Sequence, residues 1–121
     1  MALESKINKG LWFVGSDFQL RFNVTQEDLI TPADMTGWTL AFYVRQKTTD
    51  GTLKLTKTTT SGIQIVNGAG VNTRANVSIA RADTLGWEEG NYYFSLWRTD
   101  NPNDVPLSYG SVYMTKVAAQ P

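Results

Sequence analysis

The sequence predicts an all-β fold, a two-layer antiparallel sandwich of about seven or eight short strands. Three observations carry that expectation. Several stretches alternate apolar and polar residues with a period of two, the signature of half-buried strands. Turn signals built from Gly, Asn, Asp and Pro separate these stretches roughly every eight to twelve residues. Only Ala80 to Trp87 reads as helical, and Gly86 stops it within about one or two turns.

The strongest stretch runs from Gly90 to Thr99. It places Tyr92, Phe94 and Leu96 on one face and Tyr93, Ser95 and Trp97 on the other. A strand with bulky side chains on both faces belongs inside a sheet, with a neighbour on either side.

In chain order, residues 1–10 are expected to form a flexible N-terminal arm, residues 11–117 the sandwich and residues 118–121 a C-terminal tail. Leu11 to Val14 is short and wholly apolar, either an edge strand or a packed lead-in to the fold. Asp17 to Thr25 alternates cleanly, with Phe18, Leu20, Phe22 and Val24 on one face. Glu27 and Asp28 end it, and Pro32, which lacks an N–H, marks Leu29 to Met35 as a connection. Asp34-Met35-Thr36-Gly37 reads as a turn, because Asp accepts from nearby backbone N–H groups and Gly tolerates a positive φ. It launches a long strand in which Trp38, Leu40, Phe42 and Val44 face one way.

Thr48 to Gly51 is a hairpin turn carrying the favoured Asp-Gly pair. Thr52 to Thr60 is β-prone but polar, with Leu53 and Leu55 expected on one side and Lys54 and Lys57 suited to an edge. Ile63 to Val66 is a short strand, and Asn72 to Ile79 turns Ala75, Val77 and Ile79 inward. After the helical turn, Leu85 and Trp87 are expected to plug an open end of the sandwich. Asp100 to Pro106 is a loop. The last strand, Tyr109 to Val117, sends Gly110, Val112 and Met114 one way and Ser111, Tyr113 and Thr115 the other. The expected core is Phe18, Leu20, Phe22, Trp38, Leu40, Phe42, Val44, Ile65, Val77, Ile79, Tyr92, Phe94, Leu96, Val112 and Met114. Burial of each large member contributes roughly 1.5–3 kcal/mol before conformational entropy is counted.

Composition narrows the function. The 121 residues include no Cys and no His. Disulfides, thiolate metal sites and cysteine nucleophiles are excluded, and the commonest general base and metal ligand are missing. The usual serine triad is excluded with them. Lys plus Arg and Asp plus Glu number 11 each, so the net charge is zero. That argues against a nucleic-acid partner and leaves little electrostatic protection against association. No apolar run approaches the roughly 18 residues of a membrane span, and Met1 to Lys9 has no apolar signal core. A protein made in a cytoplasm, and kept or assembled there, is expected.

The candidate chemistries fall one by one. Glu88 and Glu89, like Glu27 and Asp28, are adjacent in the chain and point apart rather than pairing for glycoside chemistry. Asp100, Asn103 and Asp104 offer oxygen ligands, but Pro102 interrupts their alternation and no Glu follows at calcium-loop spacing. Gly68-Ala69-Gly70 lacks the lysine and helix of a phosphate loop. No catalysis, cofactor or metal is expected. What remains is aromatic. Tyr43, Tyr93, Trp97 and Tyr113 all project opposite to the core set, and if their strands adjoin they crowd one outer sheet face. Exposed apolar patches mark interaction sites, and Trp and Tyr concentrate at binding hot spots. Trp12 is a further candidate: it either packs in the core, is covered by a neighbouring subunit, or covers this face itself.

Three sequence features together resemble a known family. Asp34 to Gly37 opens a second long strand ending at Arg45; Ala80 to Leu85 precedes Glu89 to Leu96; and Leu107 to Met114 places a glycine at the start of the final strand. In this order they resemble small immunoglobulin-like phage virion proteins, particularly the N-terminal domain of phage baseplate upper proteins and tail-fibre attachment domains. Met35 stands where that family has leucine. The resemblance implies an immunoglobulin-like sandwich and a virion structural role, with copies of itself and other tail or baseplate proteins as partners. It implies no catalytic or ligand residues. A carbohydrate- or host-surface-binding module, with exposed rings stacked on a glycan, is the alternative; an inhibitor of a host enzyme is a third reading that no residue favours.

Overall fold

A computed structural model of the chain describes residues 3–5, 11–26, 30–47, 51–100 and 104–116. Among them are nine strands and one helix: β1 (Leu3–Ser5), β2 (Leu11–Phe13), β3 (Phe18–Val24), β4 (Leu40–Gln46), β5 (Leu53–Thr58), β6 (Ile63–Val66), β7 (Arg74–Ile79), α1 (Arg81–Thr84), β8 (Gly90–Arg98) and β9 (Val105–Thr115). They form two sheets, β1-β3-β7-β6 and β2-β9-β8-β4-β5. This is the order of an immunoglobulin-like sandwich, strands A-B-E-D over G-F-C, with β5 added as the C′ strand of variable-type domains. The pairing is not wholly antiparallel, because β2 runs parallel to β9. Within the stretch expected to be a flexible arm, β1 pairs with β3, with Leu3 opposite Val24. The remainder of residues 1–10, the tail at 118–121, Glu27, Asp28, the hairpin tip at 48–50 and Asn103 lie outside the described residues.

The alternation read from the sequence sets the core. Leu20, Phe22 and Val24 of β3, Leu40, Phe42 and Val44 of β4, and Tyr92, Phe94 and Leu96 of β8 are all buried. At the centre, Phe22, Phe42 and Phe94 bring three strands together with ring centroids 6.0–6.2 Å apart. Antibody domains bridge these layers with a disulfide packed on a Trp; here three phenyl rings fill the space. Gly110 lies opposite Phe94 across the β8–β9 ladder. A Cβ there would stand 2.9 Å from the Phe94 ring, so the close approach requires glycine.

Tyr92 opens β8 and forms a tyrosine corner. Its hydroxyl donates to the Glu88 carbonyl at 2.8 Å, and its ring stacks on Trp87 at 5.1 Å. Burial, and then the Glu88 carboxylate, push the phenol pKa up and keep it a neutral donor. Phe18, Trp38 and Ile65 are only partly buried against the core, which also takes in Ala33, Met35, Ile63, Trp87 and Leu107.

The turns follow their residues. Asp34 Oδ1 accepts from the Thr36 N–H at 3.0 Å, and the Trp38 N–H donates to the Met35 carbonyl at 3.0 Å. With Gly37 at φ 79° this is a type II turn, and the bonds from Thr36 hold the Asp34 carboxyl below its ordinary pKa. The helical turn α1 is held by side chains rather than by length. Asp83 accepts from the Ala80 N–H at 2.7 Å and pairs with Lys57 at 2.8 Å, while Asp17 accepts from the Arg81 N–H at 2.6 Å.

Two expectations are corrected. Leu85 does not plug the sandwich; it is 60% exposed, while Trp87 alone is buried. Leu53 and Leu55 do not share a side. The β4–β5 register shifts between Val44 and Arg45, leaving Lys54 as an extra residue, so Leu55 opposes inward Val44 and Leu53 opposes outward Arg45.

Candidate interaction surface

Strands β4, β8 and β9 are adjacent, with β8 between the other two as its two-sided bulk predicts. Cross-strand partners share a face, so the register orders the outer surface into rows. One row is Arg45, Tyr93 and Ser111; the next is Tyr43, Ser95 and Tyr109; Ala41 and Trp97 lie beyond them, and Asn91 and Tyr113 lie on the other side. Ser95 separates Tyr43 from Tyr109, Ser111 lies beside Tyr93, and Ala41 lies beside Trp97. The rings therefore stand apart with hollows between them.

Tyr93 is 45% exposed, Tyr113 41% and Tyr109 81%, while Tyr43 and Trp97 are half-buried. Four of the five residues expected at an interface are thus brought onto one face. The fifth, Trp12, is not. Its parallel pairing places it opposite Met114, on the inward side, where it is 4% exposed and packs on Phe18 at 5.3 Å and Phe94 at 5.9 Å. It neither docks a partner nor covers the outer face. Its buried Nε1 has no hydrogen-bond partner among the described residues. Sequence reasoning missed Tyr109 and Phe13, both exposed. Tyr109 was recoverable, since it shares parity with Ser111 and Tyr113. Phe13 was not, because β2 is apolar at every position.

Between Tyr93 and Tyr109 lies a groove of about 440 Å³, lined by Arg45, Tyr93, Phe94, Ser95, Tyr109, Gly110 and Ser111. Arg45 Nη1 donates to the Gly51 carbonyl at 3.2 Å, and the Lys47 ammonium stands 5.3 Å from the centroid of the Tyr93 ring. No Asp or Glu belongs to the described rows from Asn91 to Trp97. The nearest in sequence, Glu89, is occupied at the sheet's end. It accepts from the Lys116 N–H at 3.0 Å and from Thr115 Oγ1 at 3.1 Å, and these bonds hold its carboxyl below the ordinary value.

Two of the other sequence candidates, Asp100 and the Gly68–Gly70 turn, are accounted for by structural contacts. Asp100 pairs with Arg98 at 2.8 Å, and Arg98 stacks 3.9 Å from the centroid of the Trp38 ring. Gly68 and Gly70 form a turn, in which the Gly70 N–H donates to Thr73 Oγ1 at 3.1 Å. Among the described residues no cluster of three or more carboxylates is placed to hold a metal. No helix among them is long and apolar enough to cross a membrane. No protein family matches the chain, and no curated protein matches it. Fold and surface define the class by themselves: an immunoglobulin-like sandwich whose five-stranded sheet turns a ring-bearing, cationic face outward.

Proposed function

We propose that the protein is a non-enzymatic structural component of a phage virion, in the tail, baseplate or tail-fibre attachment. It works by protein–protein assembly through the outer face of β2-β9-β8-β4-β5. The observation that supports assembly is the set Tyr43, Tyr93, Trp97, Tyr109 and Tyr113 gathered on that face, all of it exposed or half-buried. Rings in hollows are what a partner desolvates with most gain, and this role needs no reacting group. The virion setting rests on the sequence motifs Asp34 to Gly37, Ala80 to Leu85 followed by Glu89 to Leu96, and Leu107 to Met114. On this reading the protein is made in the host cytoplasm, and its partners are other copies of itself and neighbouring tail or baseplate proteins. Sedimentation velocity tests the proposal: Trp97→Ala should lower the assembly state while the circular dichroism of the fold is kept. Unchanged sedimentation counts against it.

The groove beside Arg45 favours a second reading, a carbohydrate- or host-surface-binding module. Tryptophan fluorescence that shifts on adding glycan, without change in sedimentation, would select it over assembly.

A further inference from the structure

We propose that the groove between Tyr93 and Tyr109 binds an acidic sugar, a pyranose ring bearing a carboxylate. This rests on the second reading above and names its ligand class. The groove's inner wall is β8, which is hydrogen-bonded to β4 on one side and β9 on the other. Its backbone donors and acceptors are consumed, so a peptide laid there finds no ladder to extend. What the groove offers is side chains: two phenol rings, the Ser95 and Ser111 hydroxyls, and a guanidinium.

Their spacing follows from the register. Tyr93 is opposite Ser111 and Tyr109 is opposite Ser95, so the two rings are diagonal neighbours, each with a hydroxyl beside it. Diagonal positions across an antiparallel pair lie roughly 7–8 Å apart. A pyranose presents the matching mosaic. Its C–H face packs on the electron-rich face of a phenol ring, and its rim hydroxyls exchange hydrogen bonds with serine. A groove of about 440 Å³ also falls in the size range of small-ligand sites rather than of flat protein contacts.

The charge selects the kind of sugar. Arg45 lies in the Tyr93 row, on the side away from Ser111. One of its donors is spent on the Gly51 carbonyl, which steadies the guanidinium. Among the described residues no carboxylate pairs with the remaining donors. Lys47 adds a second positive charge over Tyr93. A neutral sugar would leave both cations without a counter-charge; a carboxylate on the ring meets the planar donor fork of Arg45 in charge-assisted bonds.

The test is an NMR titration of the full chain with methyl glucuronide and, separately, methyl glucoside, which differ only at C6, a carboxylate in one and a hydroxymethyl in the other. Glucuronide should shift the amides of Tyr93, Ser95, Tyr109 and Ser111, with an affinity about tenfold or more above that of glucoside. Arg45→Gln should abolish that preference, and Tyr109→Ala should weaken both sugars. Both side chains are exposed, and an unchanged thermal midpoint verifies that each variant folds. Equal affinities, or a preference that survives Arg45→Gln, overturn the acidic assignment and leave the sugar reading standing. No shift with either sugar overturns both. A short acidic peptide that shifts the same amides when neither sugar does also overturns the proposal, giving the groove to a protein partner.

Discussion

The two sheets bury similar side chains and turn opposite chemistries outward. On the four-stranded sheet, Gln19, Arg21 and Asn23 of β3 lie opposite Ser78, Asn76 and Arg74 of β7, and Gln64 of β6 joins them opposite Asn76. Some of these groups bond with one another: Arg74 Nε donates to Asn23 at 2.8 Å and Gln19 Nε2 to Ser78 at 3.4 Å, while the buried Asn76 Oδ1 has no partner among the described residues. On the five-stranded sheet the same outward positions hold Tyr43, Tyr93, Trp97, Tyr109 and Tyr113. The inner faces agree because both must exclude water. The outer faces are under no such demand from the fold, since polar side chains remain stable in water while exposed rings forgo the gain of burial. A polar face is stable in water as it stands, whereas rings held apart by Ser and Ala gain only when something else covers them.

Substitutions separate what keeps the fold from what the aromatic face is for. The largest effect should come from the inner side of β8. Phe94→Ala should cost about 3–5 kcal/mol in urea unfolding, because it empties the contact among Phe22, Phe42 and Trp12. Gly110→Ala should cost about 1–3 kcal/mol by driving a methyl into the Phe94 ring, with the loss recovered when Phe94 is made smaller. Tyr92→Phe removes the corner bond to the Glu88 carbonyl, and a loss of about 1 kcal/mol is expected in the same assay.

The sharpest contrast lies outside the core. Trp97→Ala should cost about 1–2 kcal/mol of stability and Arg21→Ala about 0.5 kcal/mol or less, yet only Trp97→Ala should change sedimentation. If both or neither do, the two outer faces do not differ in role.

The smallest effect concerns pH. Burial raises the Asp83 pKa, but the bonds from Lys57 and the Ala80 N–H, with the Lys57 charge, outweigh it and leave the folded value depressed. The unfolded chain then binds more protons, so stability is fully present above about pH 4 and falls as pH drops through the depressed value. Lys57→Gln should flatten that acid limb in a series of thermal midpoints. An unchanged slope would remove Lys57 from the cause.

Much of this was legible in the chain. Period-two alternation located β3, β4, β7 and β8, put β8 in the sheet interior, and assigned Tyr93 and Trp97 to the face opposite Phe94. Asp34 to Gly37 declared its turn through side-chain chemistry alone. What stayed hidden depended on pairing rather than pattern. The β4–β5 bulge moves Leu53 outward, and a one-residue slip leaves no local trace. A second shift, between Leu96 and Trp97, lets Leu107 and Ser108 both be buried on one strand. Trp12 sits in a run that is apolar at every position, so only its register against Met114 shows that it points inward. Leu85 follows a four-residue helix, too short for periodicity to assign a face. The groove depends on the offset of Tyr93 and Tyr109 across two strands, which no single stretch contains.

The direct test of the docking face is sedimentation velocity of the natural chain beside a Tyr93→Ala/Trp97→Ala double variant, with unfolding curves for both. The natural chain should sediment as an assembly well above its 13.4 kDa monomer, and the variant as a folded monomer. A natural chain that sediments at 13.4 kDa, or a folded variant that still assembles, would contradict the assignment of this face.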